Sequence, residues 1–229
     1  MADNEKRFNL EIHPTVFWVS AGLMVFFVLA TLTNLERASE TFNAVQSAIS
    51  TSAGWFYVLS VNIYLGIVVY LLLSRYGHIR LGGIEAQPDF SYWGWFSMLF
   101  SAGMGIGLLF FSVAEPIYHY GAPPWGEGNT VASAELAMSV TFFHWGIHAW
   151  GLYGLMALGL AYFAYNQGLP LTIRSVFYPL IGERIHGGWG NAIDILAAVS
   201  TLFGLATSLG LNAYMLTGEP KYRRWLLEY

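Results

Sequence analysis

Three glycines at alternate positions of an apolar run suggest a segment whose backbone can do chemistry. The run reads SAGMGIGLLFFSVAEP over residues 101–116. A glycine inside a helix costs about 1 kcal/mol relative to alanine, so Gly103, Gly105 and Gly107 together give up about 3 kcal/mol. Small residues four apart, such as Gly103 and Gly107, favour close helix packing. Gly105 lies about 200° around the helix from Gly103, and its alternation with Met104 and Ile106 favours a segment able to unwind.

An unwound stretch within a membrane would expose backbone carbonyl groups. Such groups are tolerated where they line a cavity or bind an ion, as at the midplane of many secondary transporters. Residues 103–107 are therefore a candidate site for a substrate or an ion. Helix packing is the alternative, and this run alone does not decide between the two.

Aromatic side chains in TFFHWGIHAWGLYG, residues 141–154, are the second signal. On one continuous helix Trp145, Trp150 and Tyr153 would share a broad face, because each residue turns the helix by about 100°. Aromatic rings around a cavity attract quaternary ammonium ions, with about 0.5 to 2 kcal/mol per desolvated contact. We refer to these three residues as the aromatic cluster. Core packing is the alternative role.

Histidines four apart and two acidic residues are further candidates. On one helix face His144 and His148 could bind haem or a metal, relay protons, or simply pack through hydrogen bonds. Glu115 and Asp194 are acidic residues at membrane depth. Glu115 also precedes Pro116, so we expect the helix to bend or end there, with Glu115 either in a pathway or among headgroups.

The elements that carry these residues are predicted to be membrane-spanning helices. The chain has 229 residues, 55% hydrophobic and 10% charged, whereas soluble domains carry about 25% charged residues. Apolar runs of about 20 residues span a bilayer as helices. We predict an all-α polytopic transmembrane bundle over 15–217, with helices at 15–33, 54–73, 92–118, 137–165 and 192–217. A short interfacial helix is expected around TIRSVFYPLIG, within 166–190.

Composition excludes several functional classes. The sequence contains no cysteine, which removes disulfides, thiol nucleophiles and cysteine-held iron–sulfur clusters. A net charge of -4 without a long basic run gives no indication of nucleic-acid binding. The polar N-terminus does not resemble a signal peptide. We predict no catalytic residues, no enzymatic activity and no resident cofactor.

Basic residues outside the spans alternate along the chain. Before the first span and after spans one to four they number 2, 1, 2, 0 and 2. Because Lys and Arg favour cytoplasmic loops, residues 1–14 are predicted to be a cytoplasmic segment. The polar tail 218–229 breaks the pattern with Lys221, Arg223 and Arg224. It is either an amphipathic segment returning to the surface or, as we favour, the product of a truncated or spliced reading frame.

Taken together, the motifs resemble the betaine/choline/carnitine transporter family. The resemblance rests on GMGIGLLFFSVAEP, FHWGIHAWGLYG, PLTIRS and DILAAVSTLFGLATSLGL, covers about residues 10–211 and is expected to stop at Asn212. It implies part of a LeuT-like inverted-repeat fold with twelve helices, of which five are predicted here. It also implies a homotrimer for the full-length form. By resemblance 103–107 is the unwound part of the third helix, and the aromatic cluster binds the substrate.

Sodium-using relatives imply an ion site as well. The resemblance assigns backbone oxygens at Ser101 and Met104, and a threonine pair of which only Thr201 is matched, since the second position is Leu205. Choline-carrying relatives often have an acidic residue where this chain has Gly107. A zwitterion brings its own carboxylate and needs no buried counter-charge, so Gly107 favours betaine-like substrates over choline.

These observations predict a secondary transporter that imports glycine betaine-like osmolytes with Na⁺ in a bacterial-type inner membrane. Its partners would be that small molecule and the lipid bilayer. The alternatives are an inactive transporter fragment, a choline, carnitine or proton-coupled relative, a haem-binding membrane protein that uses His144 and His148, and a non-transporting sensor or assembly subunit.

Overall fold

A computed structural model describes residues 12–104 and 106–217, and these residues are all-α. Three predictions fall at least partly outside the described residues. They concern most of the cytoplasmic segment (residues 1–11), the polar tail 218–229 and Gly105. In chain order the α-helices are α1 (Pro14–Thr33), α2 (Leu35–Leu73), α3 (Tyr92–Met104), α4 (Ile106–Gly121), α5 (Val131–Trp145), α6 (Ile147–Ala161), α7 (Ile173–Val176), α8 (Tyr178–Ile181) and α9 (Gly188–Thr217). Short 3₁₀ turns at Arg75–His78 and Gly182–His186 and a π turn at Tyr162–Asn166 connect some of them.

Four stretches of the described chain are long and apolar enough to cross a membrane: 14–33, 35–73, 131–166 and 188–210. They make the chain a multi-pass membrane protein, as predicted. The third predicted span, 92–118, contains α3 and α4, helices of 13 and 16 residues on either side of Gly105, which lies outside the described residues.

Helix α1 is bounded by local capping. The His13 side chain accepts a hydrogen bond from the Val16 backbone amide, and Pro14 occupies the first turn, where its missing N–H costs nothing. At the other end the backbone amide of Asn34 donates to the Thr31 carbonyl. The 20 residues of α1 extend about 30 Å, the thickness of a bilayer core.

Helix α2 begins at Leu35, whereas we expected a loop until residue 54. The side chain of Asn34 accepts a hydrogen bond from the Arg37 amide at 3.0 Å, which caps the helix. Residues 35–53 contain no glycine or proline, and their charged and polar side chains are compatible with a helix although not with the centre of a membrane. The 39 residues extend about 58 Å, which exceeds the bilayer core.

Helix α4 continues through Pro116 to Gly121. The expectation that the helix could end before this proline is therefore wrong. One proline removes a single backbone donor, and the ladder resumes beyond it, with the Ala122 amide donating to the Tyr118 carbonyl at 2.8 Å.

The fourth predicted span starts earlier than expected and is interrupted. Thr130 and Ser133 form a reciprocal capping box that starts α5 at Val131, and α5 ends at Trp145. A Cβ atom at Gly146 would lie 2.5 Å from the Phe142 carbonyl oxygen. Only glycine allows this close approach, and a new helix, α6, begins at Ile147.

The described residues divide into two compact units, one with residues 12–48 and 172–202 and the other with residues 49–171, apart from Gly105, and 203–217. The most extensive packing between any two described elements is that of α4 against α5, in the second unit. Gly151 of α6 also lies close to α2, where an added Cβ would be 3.1 Å from Leu65 Cδ1.

In the first unit a buried arginine ties two elements together. The segment in which we expected a short interfacial helix contains two short helices, α7 and α8, and its position at a membrane interface remains a prediction. Arg174 of α7 is 6% exposed, and its Nε donates to Asp194 Oδ2 of α9 at 2.6 Å. Its backbone amide donates to the other carboxylate oxygen, and its Nη atoms donate to the Ile185 carbonyl and the Asn191 side chain. Asp194 is therefore paired with a cation.

We predict that Asp194→Ala lowers stability by about 3 kcal/mol or more, because it leaves a buried guanidinium without its counter-charge. The measurement is the midpoint of thermal loss of helical circular dichroism in lipid nanodiscs. Glu183→Gln is the control, since the Glu183 side chain is 80% exposed and exposed pairs contribute little. Equal midpoints for the two variants would contradict the assignment.

We predict that Gly146→Ala destabilises the protein by about 1 to 3 kcal/mol, because the new methyl group must displace the Phe142 carbonyl. The matched control is Gly154→Ala in α6, where an added Cβ meets nothing within 4 Å and the helix gains intrinsic stability. The same thermal midpoints are compared. A Gly146→Ala midpoint at or above that of Gly154→Ala would show that the interruption is not fixed by this contact.

Candidate functional site

The aromatic cluster is divided between two helices. Trp145 is the last residue of α5, whereas Trp150 and Tyr153 lie on α6. A shared face for the three rings was predicted for one continuous helix, and the interruption at Gly146 removes that basis. The positions of the three rings are set by contacts instead.

Two contacts connect the cluster. The indole Nε1 of Trp150 donates a hydrogen bond to the Trp145 backbone carbonyl at 3.1 Å. That carbonyl is at the end of α5, where backbone acceptors lack helical partners. The rings of Trp150 and Tyr153 have centroids 5.8 Å apart at an interplanar angle of 41°. Trp150 therefore bridges the end of α5 and the ring of Tyr153.

The accessibility of the rings differs along the cluster. Trp150 is 42% exposed and Tyr153 is 69% exposed, while Trp145 is half-buried. The Trp145 ring packs against Phe111 of α4, with centroids 5.8 Å apart. Trp150 and Tyr153 thus offer accessible aromatic surface, and Trp145 joins them to α4.

Glu115 of α4 is the residue whose role we did not predict. Its side chain is buried, with 8% exposed. Oε2 accepts a hydrogen bond from the Trp145 indole Nε1 at 2.6 Å, and Oε1 lies 2.7 Å from His144 Nδ1. A hydrogen bond donated by this imidazole nitrogen requires the form of His144 with a proton on Nδ1. His119, one turn along α4, places Nε2 3.4 Å from Oε1.

Neither role that we considered for Glu115, a pathway or headgroup contact, includes this pairing with α5. The spacing of Glu115 and His119 is visible in the sequence as a pair four apart on a helix. The contacts with His144 and Trp145 join residues 29 and 30 positions apart, and no local pattern indicates them.

The histidine pair does not have the geometry assumed for haem or metal binding. His144 lies on α5 and His148 on α6, so their spacing of four does not place them on one helix face. His144 pairs with Glu115, and the His148 ring packs against Phe143 with centroids 4.8 Å apart. Among the described residues no three His, Cys, Asp or Glu side chains are grouped to hold a metal.

Four residues of the glycine run are described, and they belong to α3 and α4. Gly103 and Met104 end α3, Ile106 and Gly107 begin α4, and Gly105 between them is outside the described residues. Unwinding of this segment remains a prediction.

The residues assigned to sodium lie in separate units. Ser101 is an exposed residue of α3. Thr201 is on α9, where its hydroxyl donates to the Ala197 carbonyl at 2.8 Å and keeps oxygen lone pairs for another partner. Thr201 also lines an apolar cavity of about 500 Å³ between α1 and α9, together with Ser20 and Ala198.

Comparison with known proteins identifies the family. Residues 15–222 match the family model described as BCCT, betaine/carnitine/choline family transporter. A protein named probable glycine betaine transporter, from Desulfitobacterium hafniense (strain Y51), is 48% identical over 208 residues, which cover 91% of this chain and 42% of that protein.

Two Vibrio parahaemolyticus proteins are similarly close. A glycine betaine/proline/choline transporter is 46% identical over 223 residues, covering 90% of this chain and 40% of the relative. A glycine betaine/proline/choline/ectoine transporter is 49% identical over 220 residues, covering 94% and 39%.

The chain spans about two fifths of the length of these relatives. The family match runs to residue 222, so the expectation that the resemblance stops at Asn212 is wrong. With a match over most of its length, and with relatives at nearly half identity, this chain belongs to the betaine/carnitine/choline transporter family.

Proposed function

We propose that this chain takes part in secondary active import of quaternary ammonium osmolytes of the glycine betaine type. The observation that carries the proposal is the contact between Trp150 and Tyr153, whose rings are adjacent and accessible. Ring faces carry partial negative charge and attract a trimethylammonium group without a formal counter-ion. The printed names of the relatives, which include glycine betaine and choline, support the same ligand class.

The chemistry at Gly107 favours a zwitterion over choline. A permanent cation without its own anion gains from a nearby acidic side chain, whereas glycine betaine carries a carboxylate. In this chain the position is glycine. Choline and carnitine remain the alternative substrates, and binding to the aromatic cluster is common to all three.

Sodium is the proposed coupling ion, with backbone oxygens of Ser101 and Met104 and the Thr201 hydroxyl as its candidate ligands. Hard cations prefer oxygen ligands of this kind. A broken helix shared by ion and substrate would couple them, because each stabilises the geometry that the other binds. A proton-coupled relative is the alternative.

The proposed setting is a bacterial-type inner membrane, with the N-terminus on the cytoplasmic side. The alternation of Lys and Arg between successive loops supports this orientation. A homotrimer for the full-length form remains an expectation from the family resemblance.

The test of transport is uptake of labelled glycine betaine into lipid vesicles that contain the protein. We expect accumulation with an inward sodium gradient and little accumulation without one. Accumulation driven only by a proton gradient would contradict sodium coupling. The absence of both uptake and saturable betaine binding would contradict the proposed function.

We predict that Trp150→Ala weakens glycine betaine binding to the chain in nanodiscs by about 2- to 30-fold, the equivalent of one cation–π contact. Scintillation proximity binding measures the affinity. Trp55→Ala is the matched control, since Trp55 lies on α2 and is 68% exposed. The same affinity in both variants would count against the aromatic cluster as the site.

We predict that Gly107→Asp changes selectivity in favour of choline. An added carboxylate attracts choline and repels the carboxylate of glycine betaine, and about a tenfold change in the ratio of the two affinities corresponds to about 1.4 kcal/mol. Competition binding with both ligands measures the ratio. Gly107→Asn supplies the same shape without charge, and an identical ratio in both variants would refute the electrostatic argument.

A further inference from the structure

We propose that Glu115 is a positioning residue for the aromatic cluster, holding Trp145 and, through it, Trp150 in place for a quaternary ammonium ligand. The inference rests on the proposed function for its ligand, but its structural part can be tested without one. It begins with a buried carboxylate that uses its two oxygens for different partners.

The division of the two oxygens fixes the orientation of the Trp145 ring. Oε2 accepts the indole N–H of Trp145 at 2.6 Å, while Oε1 is held by His144 Nδ1 at 2.7 Å. Both distances are short enough for hydrogen bonds. An indole has a single N–H donor, so this bond determines where the ring edge points. Packing of the same ring against Phe111 restrains its face.

The position of Trp145 makes this restraint matter for the rest of the cluster. Trp145 is the last residue of α5, so no further turn of that helix packs beside it. Its carbonyl accepts the Trp150 indole N–H at 3.1 Å, and the Trp150 ring contacts Tyr153. A continuous chain of contacts therefore runs from the Glu115 carboxylate to all three members of the cluster.

The Glu115 side chain is buried, which distinguishes it from a carboxylate at the protein surface. Glu115 is 8% exposed, and a buried carboxylate is destabilising unless several donors satisfy it. Its donors come mainly from α5, the helix against which α4 packs most extensively. Glutamine at this position has one acceptor oxygen in place of two. It therefore cannot accept hydrogen bonds from Trp145 and His144 on two separate oxygens.

The experiment uses the chain in nanodiscs with ¹⁵N-labelled tryptophan indoles, which give one NMR resonance for each of the nine tryptophans. Trp145→Phe and Trp150→Phe assign two of the signals. In Glu115→Gln we expect the Trp145 indole proton to move upfield, since its charged acceptor is lost, and the Trp150 signal to shift with it. The other seven signals should stay in place, which distinguishes repositioning from general loss of structure.

Glu135→Gln is the matched control, because Glu135 is an exposed carboxylate of α5, and its spectrum should equal that of the wild type. A Trp145 resonance that does not move in Glu115→Gln overturns the proposal. So does a shift of all nine signals, because that result indicates a role in general stability. Glu115→Ala, if it folds, should move the same two signals further.

A binding measurement tests the effect of Glu115 on the ligand separately from its effect on the Trp145 ring. We expect glycine betaine affinity to fall about tenfold in Glu115→Gln, equivalent to about 1.4 kcal/mol, with no change in Glu135→Gln. If Glu115→Gln shifts the Trp145 signal but leaves the affinity for glycine betaine unchanged, Glu115 does not position the cluster for the ligand. If the wild type binds no glycine betaine, the proposed function fails, and the indole resonances still decide whether Glu115 positions Trp145.

Discussion

The pairing of a buried carboxylate on α4 with donors at the end of α5 is the interaction on which the candidate site depends. Glu115 joins the two helices at Trp145, the residue at which α5 ends. From there the close approach at Gly146 interrupts the helix, and α6 carries Trp150 and Tyr153. The aromatic cluster is thus located by one carboxylate, one glycine and one carbonyl, and not by the rotation of a single helix.

The same physical rule explains one buried ionisable side chain in each unit, Arg174 and Glu115. A charge removed from water is tolerated when it is paired and its remaining hydrogen-bonding capacity is used. Arg174 meets this requirement through Asp194, Asn191 and the Ile185 carbonyl, and Glu115 meets it through Trp145 and His144. In one unit the pairing fixes short helices to α9, and in the other it orients aromatic rings that are proposed to bind a ligand.

The sequence predicted those features that depend on local hydrophobicity, such as the membrane-spanning character of the chain and the extent of α1. It did not predict that residues 35–53 are helical, because polarity indicates distance from the membrane centre and not the absence of a helix. The interruption at Gly146 depends on how closely the backbone approaches the Phe142 carbonyl, and a lone glycine is also compatible with a continuous helix. His144 and Trp145, which contact Glu115, lie on another helix, and a periodic pattern within one helix does not indicate contacts between helices.

The proposed site requires that ring faces held in this way recognise positive charge. Its most direct test compares the binding of glycine betaine with that of 3,3-dimethylbutanoate, in which carbon replaces the quaternary nitrogen and the shape is retained. Because cation–π contacts with the Trp150 and Tyr153 rings, worth about 0.5 to 2 kcal/mol each, distinguish the ligands, we expect at least about fivefold tighter binding of glycine betaine. Equal affinities for the two would show that shape and apolar contact suffice, and would contradict the account.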